Sequence, residues 1–244
     1  MIDCISVENM RRSDAYTIAN YVPSLELMYR AAEGVFNAVD WRGKIAILAG
    51  SGNNGGDGYA LACILKEQGF DCTMFTLGSR LSDDAQHYAA IARGLNVEIS
   101  PFPCDLSGYD FVVDCLLGTG FQGSVRSDYR AAIEAINASG AFVVSVDINS
   151  GMNGDTGEAE IAVRSDLTVT IGYVKNGLVA EPAGKYIKQL VCADIGIVLT
   201  ERENIIYSPV EWAEFCAHIG IDADRTSITC DGRTHFLAPD WLKL

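Results

Sequence analysis

Apolar positions along the chain follow two rhythms. Between residues 5 and 38 they recur at helical spacing, with Leu25, Met28, Ala32, Val35 and Phe36 on one face. Pro23 divides this stretch into two helices, and Ser6 and Ser24 are placed to cap their N-termini. Met28 and Phe36 read as core packing. After Gly43 the rhythm changes to short β-rich runs at 45–49, 72–77, 97–99, 111–116, 142–146 and 167–171, alternating with amphipathic stretches at 59–68, 83–93 and 128–138. Such alternation implies βαβ units and a mostly parallel sheet covered on both faces, an α/β three-layer αβα sandwich with two helices ahead of it. The unbroken apolar character of Phe111-Val112-Val113 and Phe142-Val143-Val144 agrees, because central parallel strands are buried on both sides.

Residues 186–198 offer a further strand or two. Residues 208–216 read as a short capped helix with Pro209 at its first position. The stretch 234–241 is apolar without a period and suits a sheet edge or an interface. One domain is expected over 1–200, with 201–244 as a C-terminal extension that either packs on it or acts as a linker.

Composition narrows the function. The chain has 244 residues, 49% of them apolar, enough for a full core and inconsistent with disorder. A net charge of −14 disfavours a nucleic-acid surface, which needs Lys and Arg at phosphates, so a phosphorylated small ligand has to be met by local donors. The 8 cysteines form no C-x-x-C pair and several lie inside apolar runs, which points to a reducing compartment. No apolar run has the length of a membrane helix, and the N-terminus lacks a basic-then-apolar signal. A cytoplasmic protein without membrane or nucleic-acid partners is expected.

Chemistry-bearing residues gather where strands end. The run 45–49 leads into Gly50-Ser51-Gly52-Asn53-Asn54-Gly55-Gly56-Asp57-Gly58, whose first six residues satisfy G-x-G-x-x-G, a loop that brings backbone to a phosphate at a helix start. Asp57 is out of place there, since a carboxylate at a helix start repels phosphate: either it caps the helix or the site is of a modified kind. The run 111–116 leads into a second glycine loop holding Asp114, Gly118, Thr119, Gly120, Phe121, Gln122, Gly123 and Ser124. The run 142–146 ends in Asp147-Ile148-Asn149-Ser150-Gly151, and 167–171 runs on toward Lys175. Ligands of open parallel sheets bind beyond such carboxyl ends.

Asn54, Asp114 and Ser150 would supply amide, carboxylate and hydroxyl oxygens, a donor set for a hard cation and not for zinc; alternatively Asn54 and Ser150 satisfy turn backbone. Asp147, next to a Ser-Gly turn, suits general acid or base work or an Asx-turn. Lys175 could meet a phosphate or orient that carboxylate. His87, His218 and His235 lie off these loops and read as surface or helix residues. The run 72–77 ends in Gly78-Ser79-Arg80, with Asp71 ahead of it, so the acidic residue that a dehydrogenase places on the ribose is missing.

Taken together, Gly52-Asn53-Asn54-Gly55-Gly56-Asp57-Gly58, Asp114 with Gly118-Thr119-Gly120, Val146-Asp147-Ile148-Asn149-Ser150-Gly151, Thr168-Val169-Thr170 with Lys175, and Asp194-Ile195-Gly196-Ile197 resemble the NAD(P)HX epimerases, the N-terminal domain type named YjeF. Pro23-Ser24 with Leu27-Met28 fits that family's opening helices, and the likeness spans residues 5–198. The resemblance implies a Rossmann-like fold, a homodimer and a potassium ion held by Asn54, Asp114 and Ser150. It implies that hydrated NADH or NADPH is contacted by Asn53, Asn54, Gly55, Gly56 and Asp57, by Gly118 through Ser124, and by Asp147 and Lys175. The implied activity interconverts the R and S hydrates with Asp147 as proton shuttle, feeding a separate or fused dehydratase.

Three departures from the family pattern stand out. Asn149 occupies a position usually held by proline, Tyr29 one often acidic, and Gly123 lies near one often held by arginine. They leave room for a non-catalytic dimeric scaffold of the same fold, or a nucleotide-ligand-binding protein, as the competing reading.

Overall fold

The computed structural model describes residues 1–78 and 80–243; Ser79 and Leu244 lie outside them. In chain order the elements are β1 (Ile2–Ile5), α1 (Val7–Asn20), α2 (Ser24–Asn37), β2 (Lys44–Ala49), α3 (Asn53–Glu67), β3 (Asp71–Thr76), α4 (Asp83–Gly94), β4 (Glu98–Pro101), β5 (Phe111–Cys115), α5 (Ser127–Ala138), β6 (Phe142–Val146), β7 (Leu167–Ile171), β8 (Val174–Lys175), α6 (Asn176–Val179), β9 (Leu190–Ala193), β10 (Asn204–Tyr207), α7 (Pro209–Ile219), β11 (Ser227–Cys230) and β12 (Arg233–Leu237).

Among the described residues seven strands form one sheet in the order β4-β3-β2-β5-β6-β7-β9, every neighbouring pair parallel. Successive strands step outward from β2 to β4, and the chain then returns to β5 beside β2. That reversal opens a crevice between the carboxyl ends of β2 and β5. Strand periodicity divides the core between the faces: Ile45, Ile47 and Ala49 pack with α2, α3 and α4, while Ala46 and Leu48 pack with Ile133 and Ile136 of α5. Full burial of each such Ile or Leu is worth roughly 1.5–3 kcal/mol.

A second sheet, in the order β11-β12-β10-β1-β8, was not legible in the sequence pattern. Its strands are two to five residues long, too short for alternation to register. β1 lies between the chain's two halves: it pairs antiparallel with β10 and parallel with β8, placing Ile5 opposite Lys175. Residues 201–243 pack on the same body, since Leu190 accepts from Lys243 N and donates to Trp241 O at the edge of the main sheet.

Local starts follow capping chemistry. Ser6 caps α1 by accepting from Asn9 N at 3.2 Å, and Ser208 and Glu211 form a capping box on α7, where Pro209 is the first helical residue. Ser24, expected to cap α2, is instead its first residue: Pro23, extended at φ −56° and ψ 146°, takes the cap position. Helix α3 begins at Asn53, inside the glycine loop and six residues before the expected start at Tyr59. Glycines make this possible, because a Cβ at Gly55 would collide with the Gly50 carbonyl. All eight cysteines are free, and burial pushes the Cys63 thiol up to about 12 and Cys72 up to about 11, the behaviour of small core hydrophobes.

Candidate functional site

A cavity of about 700 Å³ opens at the β2–β5 crevice. The loop ahead of α3 and its first turn form one wall, with Ser51, Gly52, Asn53, Asn54 and Asp57. Residues 116–122 with Ser124 and Arg126 form the second; Asp147, Ile171 and Lys175 form the floor; α1 and α2 close the remaining side with Met10, Arg11, Asp14, Ile18, Leu27 and Met28.

At the floor, Asp147 follows β6 with φ 68°, a left-handed backbone that costs a non-glycine residue and recurs at functional sites. Its amide donates to Val169 O at 2.8 Å, which anchors the turn to β7. Its Oδ1 accepts from Lys175 Nζ at 2.5 Å and from Ile171 N at 3.4 Å. Lys175 is 1% exposed and also donates to Ile171 O at 2.6 Å and Thr170 Oγ1 at 3.1 Å. A buried ammonium is tolerated only when paired and hydrogen-bonded, and all its partners here come from β7 and the Asp147 turn. Lys175 therefore orients the carboxylate and is committed away from phosphate binding. It reaches this depth because β1 pins β8 beside the main sheet.

Two further carboxylates share the cavity. Burial, then the charge of Asp147, then that of Asp14, raise Asp57 well above the usual carboxylate range, with Lys175 opposing. Asp14 is raised by burial and by Asp147, again with Lys175 opposing. Three acids thus face one buried cation, an environment that favours a positive charge or a shared proton. The sequence reading that Asp57 merely caps a helix is superseded: α3 starts at Asn53, so Asp57 lies inside the helix and faces the cavity.

Beside this floor lies a cluster of oxygens. Asp114, fully buried, accepts from Ser150 Oγ at 2.5 Å, Ser150 N at 2.9 Å, Ser145 Oγ at 2.9 Å and Leu116 N at 3.2 Å. Burial raises its carboxyl above the usual range while these hydrogen bonds pull it back. Ser150 Oγ also accepts from Leu117 N at 2.8 Å, and Asn54 Nδ2 donates to Leu117 O at 3.1 Å. Asn54 Oδ1 is buried with no hydrogen-bond partner among the described residues. Amide, carboxylate, hydroxyl and carbonyl oxygens are the kinds of donor a hard cation takes, so Asn54, Asp114 and Ser150 could hold one.

Of the residues singled out in the sequence, Asn53, Asn54, Asp57, Gly118, Thr119, Gly120, Phe121, Gln122, Ser124, Asp147 and Lys175 line the cavity. Gly118 packs closely between two of them: a Cβ there would stand 3.2 Å from Asn54 Cβ, a tight approach, and 3.4 Å from Asp147 Oδ2, an ordinary contact. Gly55 and Gly56 do not line it: the one is packed on Gly50, and a Cβ on the other would run into the Met28 side chain and Ala85. Gly123 faces a neighbouring pocket with Gly151 and Tyr186 instead. Tyr29 also lies off the cavity. Asn149 turns away from it, fully buried, donating to Val163 O at 2.9 Å and Ser165 Oγ at 3.0 Å and accepting from Thr168 Oγ1 at 2.6 Å.

His87 and His218 are exposed, whereas His235, read as a surface or helix residue, is a buried strand residue bonded to Tyr207 Oη. Arg11, Asp14 and Arg126 went unnoticed in the sequence. The first two sit three apart on α1, a spacing that places both on one helix face, but nothing local says which face meets a ligand.

Comparison with known proteins bears on this geometry. The family described as "YjeF-related protein N-terminus" matches residues 24–177. The chain is 36% identical over 198 residues to the NAD(P)H-hydrate epimerase of Limosilactobacillus fermentum, covering 78% of this chain and 95% of that protein. It is 43% identical over 197 residues to the bifunctional NAD(P)H-hydrate repair enzyme Nnr of Methanothermobacter thermautotrophicus, covering 72% of this chain and 37% of that longer protein. Among solved structures, yeast ynu0 superposes with a TM-score of 0.66 at 20% identity over 72% of this chain and 83% of that one, a likeness of fold.

Proposed function

The chain belongs to the YjeF-related N-terminal family, and we propose that it is an NAD(P)H-hydrate epimerase, an isomerase that interconverts the R and S forms of hydrated NADH and NADPH. The observation that carries the reading is the Asp147 carboxylate, held by the buried Lys175 in a left-handed turn at the floor of the cavity.

In the hydrate, the hydroxyl-bearing carbon adjoins the ring nitrogen. The nitrogen lone pair expels the hydroxyl, which takes a proton and leaves as water; the ring becomes a planar cation. Water then adds to the opposite face and returns the proton, so atoms balance and nothing is oxidised or reduced. Asp147 shuttles that proton. Lys175 occupies Oδ1, so Oδ2, turned toward Gly118, is the oxygen that meets the substrate. The carboxylates of Asp14, Asp57 and Asp147 stabilise the cationic ring, a charge absent from the starting hydrate.

Asn54, Asp114 and Ser150 would hold the potassium ion, and the partnerless Asn54 Oδ1 supports that assignment. When bound, the ion would offset the Asp114 charge and fix the Leu117 turn against α3. A homodimer in a reducing cytoplasm, acting ahead of a dehydratase, completes the proposal; longer relatives named bifunctional NAD(P)H-hydrate repair enzymes support the coupling. The scaffold reading loses its arguments, since Asn149 and Tyr29 lie outside the cavity.

Purified protein is mixed with separated R or S hydrate in potassium buffer and the isomer ratio is followed by chromatography. Convergence from both sides to one ratio is expected. A ratio that drifts no faster than without protein would sink the assignment.

A further inference from the structure

The cavity is electrically lopsided. Four acids line it, Asp14, Asp57 and Asp147 around the floor and Asp84 on α4, and among the described residues the cation at the floor, Lys175, spends its hydrogens on Asp147, Ile171 and Thr170. Resting on the epimerase reading, a dinucleotide hydrate poses a problem: its diphosphate carries two negative charges that this floor repels. Two other cations line the cavity, Arg11 of α1 and Arg126 at the start of α5. Arg11 donates through Nη2 to Thr119 O, so its guanidinium is fixed against the loop 118–124, and Arg126 lies two residues beyond the end of that same loop.

We infer that Arg11 and Arg126 form the diphosphate subsite, and that the charge gradient from this rim to the acidic floor orients the dinucleotide with its hydrated ring at Asp147. Guanidinium groups suit the task because they offer several donors in a plane that matches phosphate oxygens, and they stay charged. Arg126 is exposed, and its contacts among the described residues are the Tyr129 ring, with the guanidinium carbon 5.0 Å from the centroid, and Asp128 at 3.9 Å, a long and solvent-screened pair. Stacking on Tyr129 leaves the guanidinium edge open to an oxyanion. α1 is thereby a polar wall whose two charges do opposite work, Arg11 holding the anionic linker and Asp14, one turn further on, favouring the cationic ring.

The test uses two substrates. R11Q and R126Q are assayed against the NADH hydrate and against the hydrate of reduced nicotinamide riboside, which keeps the ring and carries no phosphate. With the dinucleotide each substitution is expected to raise KM about tenfold or more with kcat within about twofold, the pattern of lost ground-state binding. With the riboside hydrate, variants and parent are expected to coincide. The parent KM for the dinucleotide is expected to rise with ionic strength and the R11Q/R126Q double variant to lose that slope. Unchanged KM for the dinucleotide, or equal losses on both substrates, overturns the subsite. A parent protein inactive on both substrates overturns the epimerase assignment instead.

Discussion

Lys175 Nζ and Asp147 Oδ1 meet at 2.5 Å although 28 residues separate them, one on a two-residue strand of the small sheet and the other in a turn after the main sheet. The contact welds the two sheets together at the point where the chemistry is proposed. Its two halves have different duties: Asp147 carries the proton, and Lys175 neutralises and orients its carboxylate. Asp147→Asn keeps shape, loses the shuttled proton and leaves the buried Lys175 ammonium without its paired carboxylate, so epimerisation is expected to fall at least about a hundredfold and the fold to weaken by about 3 kcal/mol. Lys175→Met leaves the three acids without their buried counter-charge, and similar losses of activity and stability are expected. Rate assays on the folded proteins with thermal melts check both, and an Asp147→Asn protein working at the parent rate removes Asp147 from the mechanism.

Asp57 gives the site a pH signature. Burial and two neighbouring carboxylates raise it above its ordinary 3.8, so the folded chain binds this proton more tightly than the unfolded one. The stabilisation is fully present below the unfolded pKa and is lost as pH rises through the folded one. Asp57→Asn does not titrate. The melting temperature of that variant minus the parent's is therefore expected to grow as pH is raised from about 4 toward neutrality. A difference that stays flat across that range places Asp57 in ordinary solvent.

The oxygen cluster predicts a cation response. Replacing sodium or choline chloride by potassium chloride at constant ionic strength is expected to raise the parent melting temperature, since an ion that binds only the native state stabilises it. Asn54→Ala and Ser150→Ala are expected to abolish the potassium-specific part. Equal melting in all three salts would falsify the assignment of these oxygens to potassium.

Asn149 is the departure from the family pattern that mattered least to the site and most to the core. Asn149→Ala takes its side-chain donor from the Val163 carbonyl and one partner each from Ser165 Oγ and Thr168 Oγ1, which keep their mutual bond of 2.7 Å, and a loss of about 1–3 kcal/mol is expected in chemical denaturation. The folded fraction should retain the parent kcat/KM. A comparable drop in kcat/KM with unchanged stability would move Asn149 into the active site.

How much of this was readable in advance depended on the range of the interaction responsible. The sequence by itself determined the parallel sheet, because strands buried on both faces are written as continuous apolar runs and their crossover helices as amphipathic ones. It also determined the strand-end loops holding Asn54, Asp114, Asp147 and Ser150, because turn chemistry and chain order are local. It did not show that the smallness of Gly55 and Gly56 serves the packing of α3 against Gly50, Met28 and Ala85. Only the tertiary structure decided three things: that β1 and β10 buttress the strand carrying Lys175, that Lys175 serves Asp147, and that α1 contributes Arg11 and Asp14 to the cavity wall. Each joins residues far apart in the chain through strands or helix faces too short or too ordinary to leave a periodic trace, so their partners are fixed by the packing of the whole body.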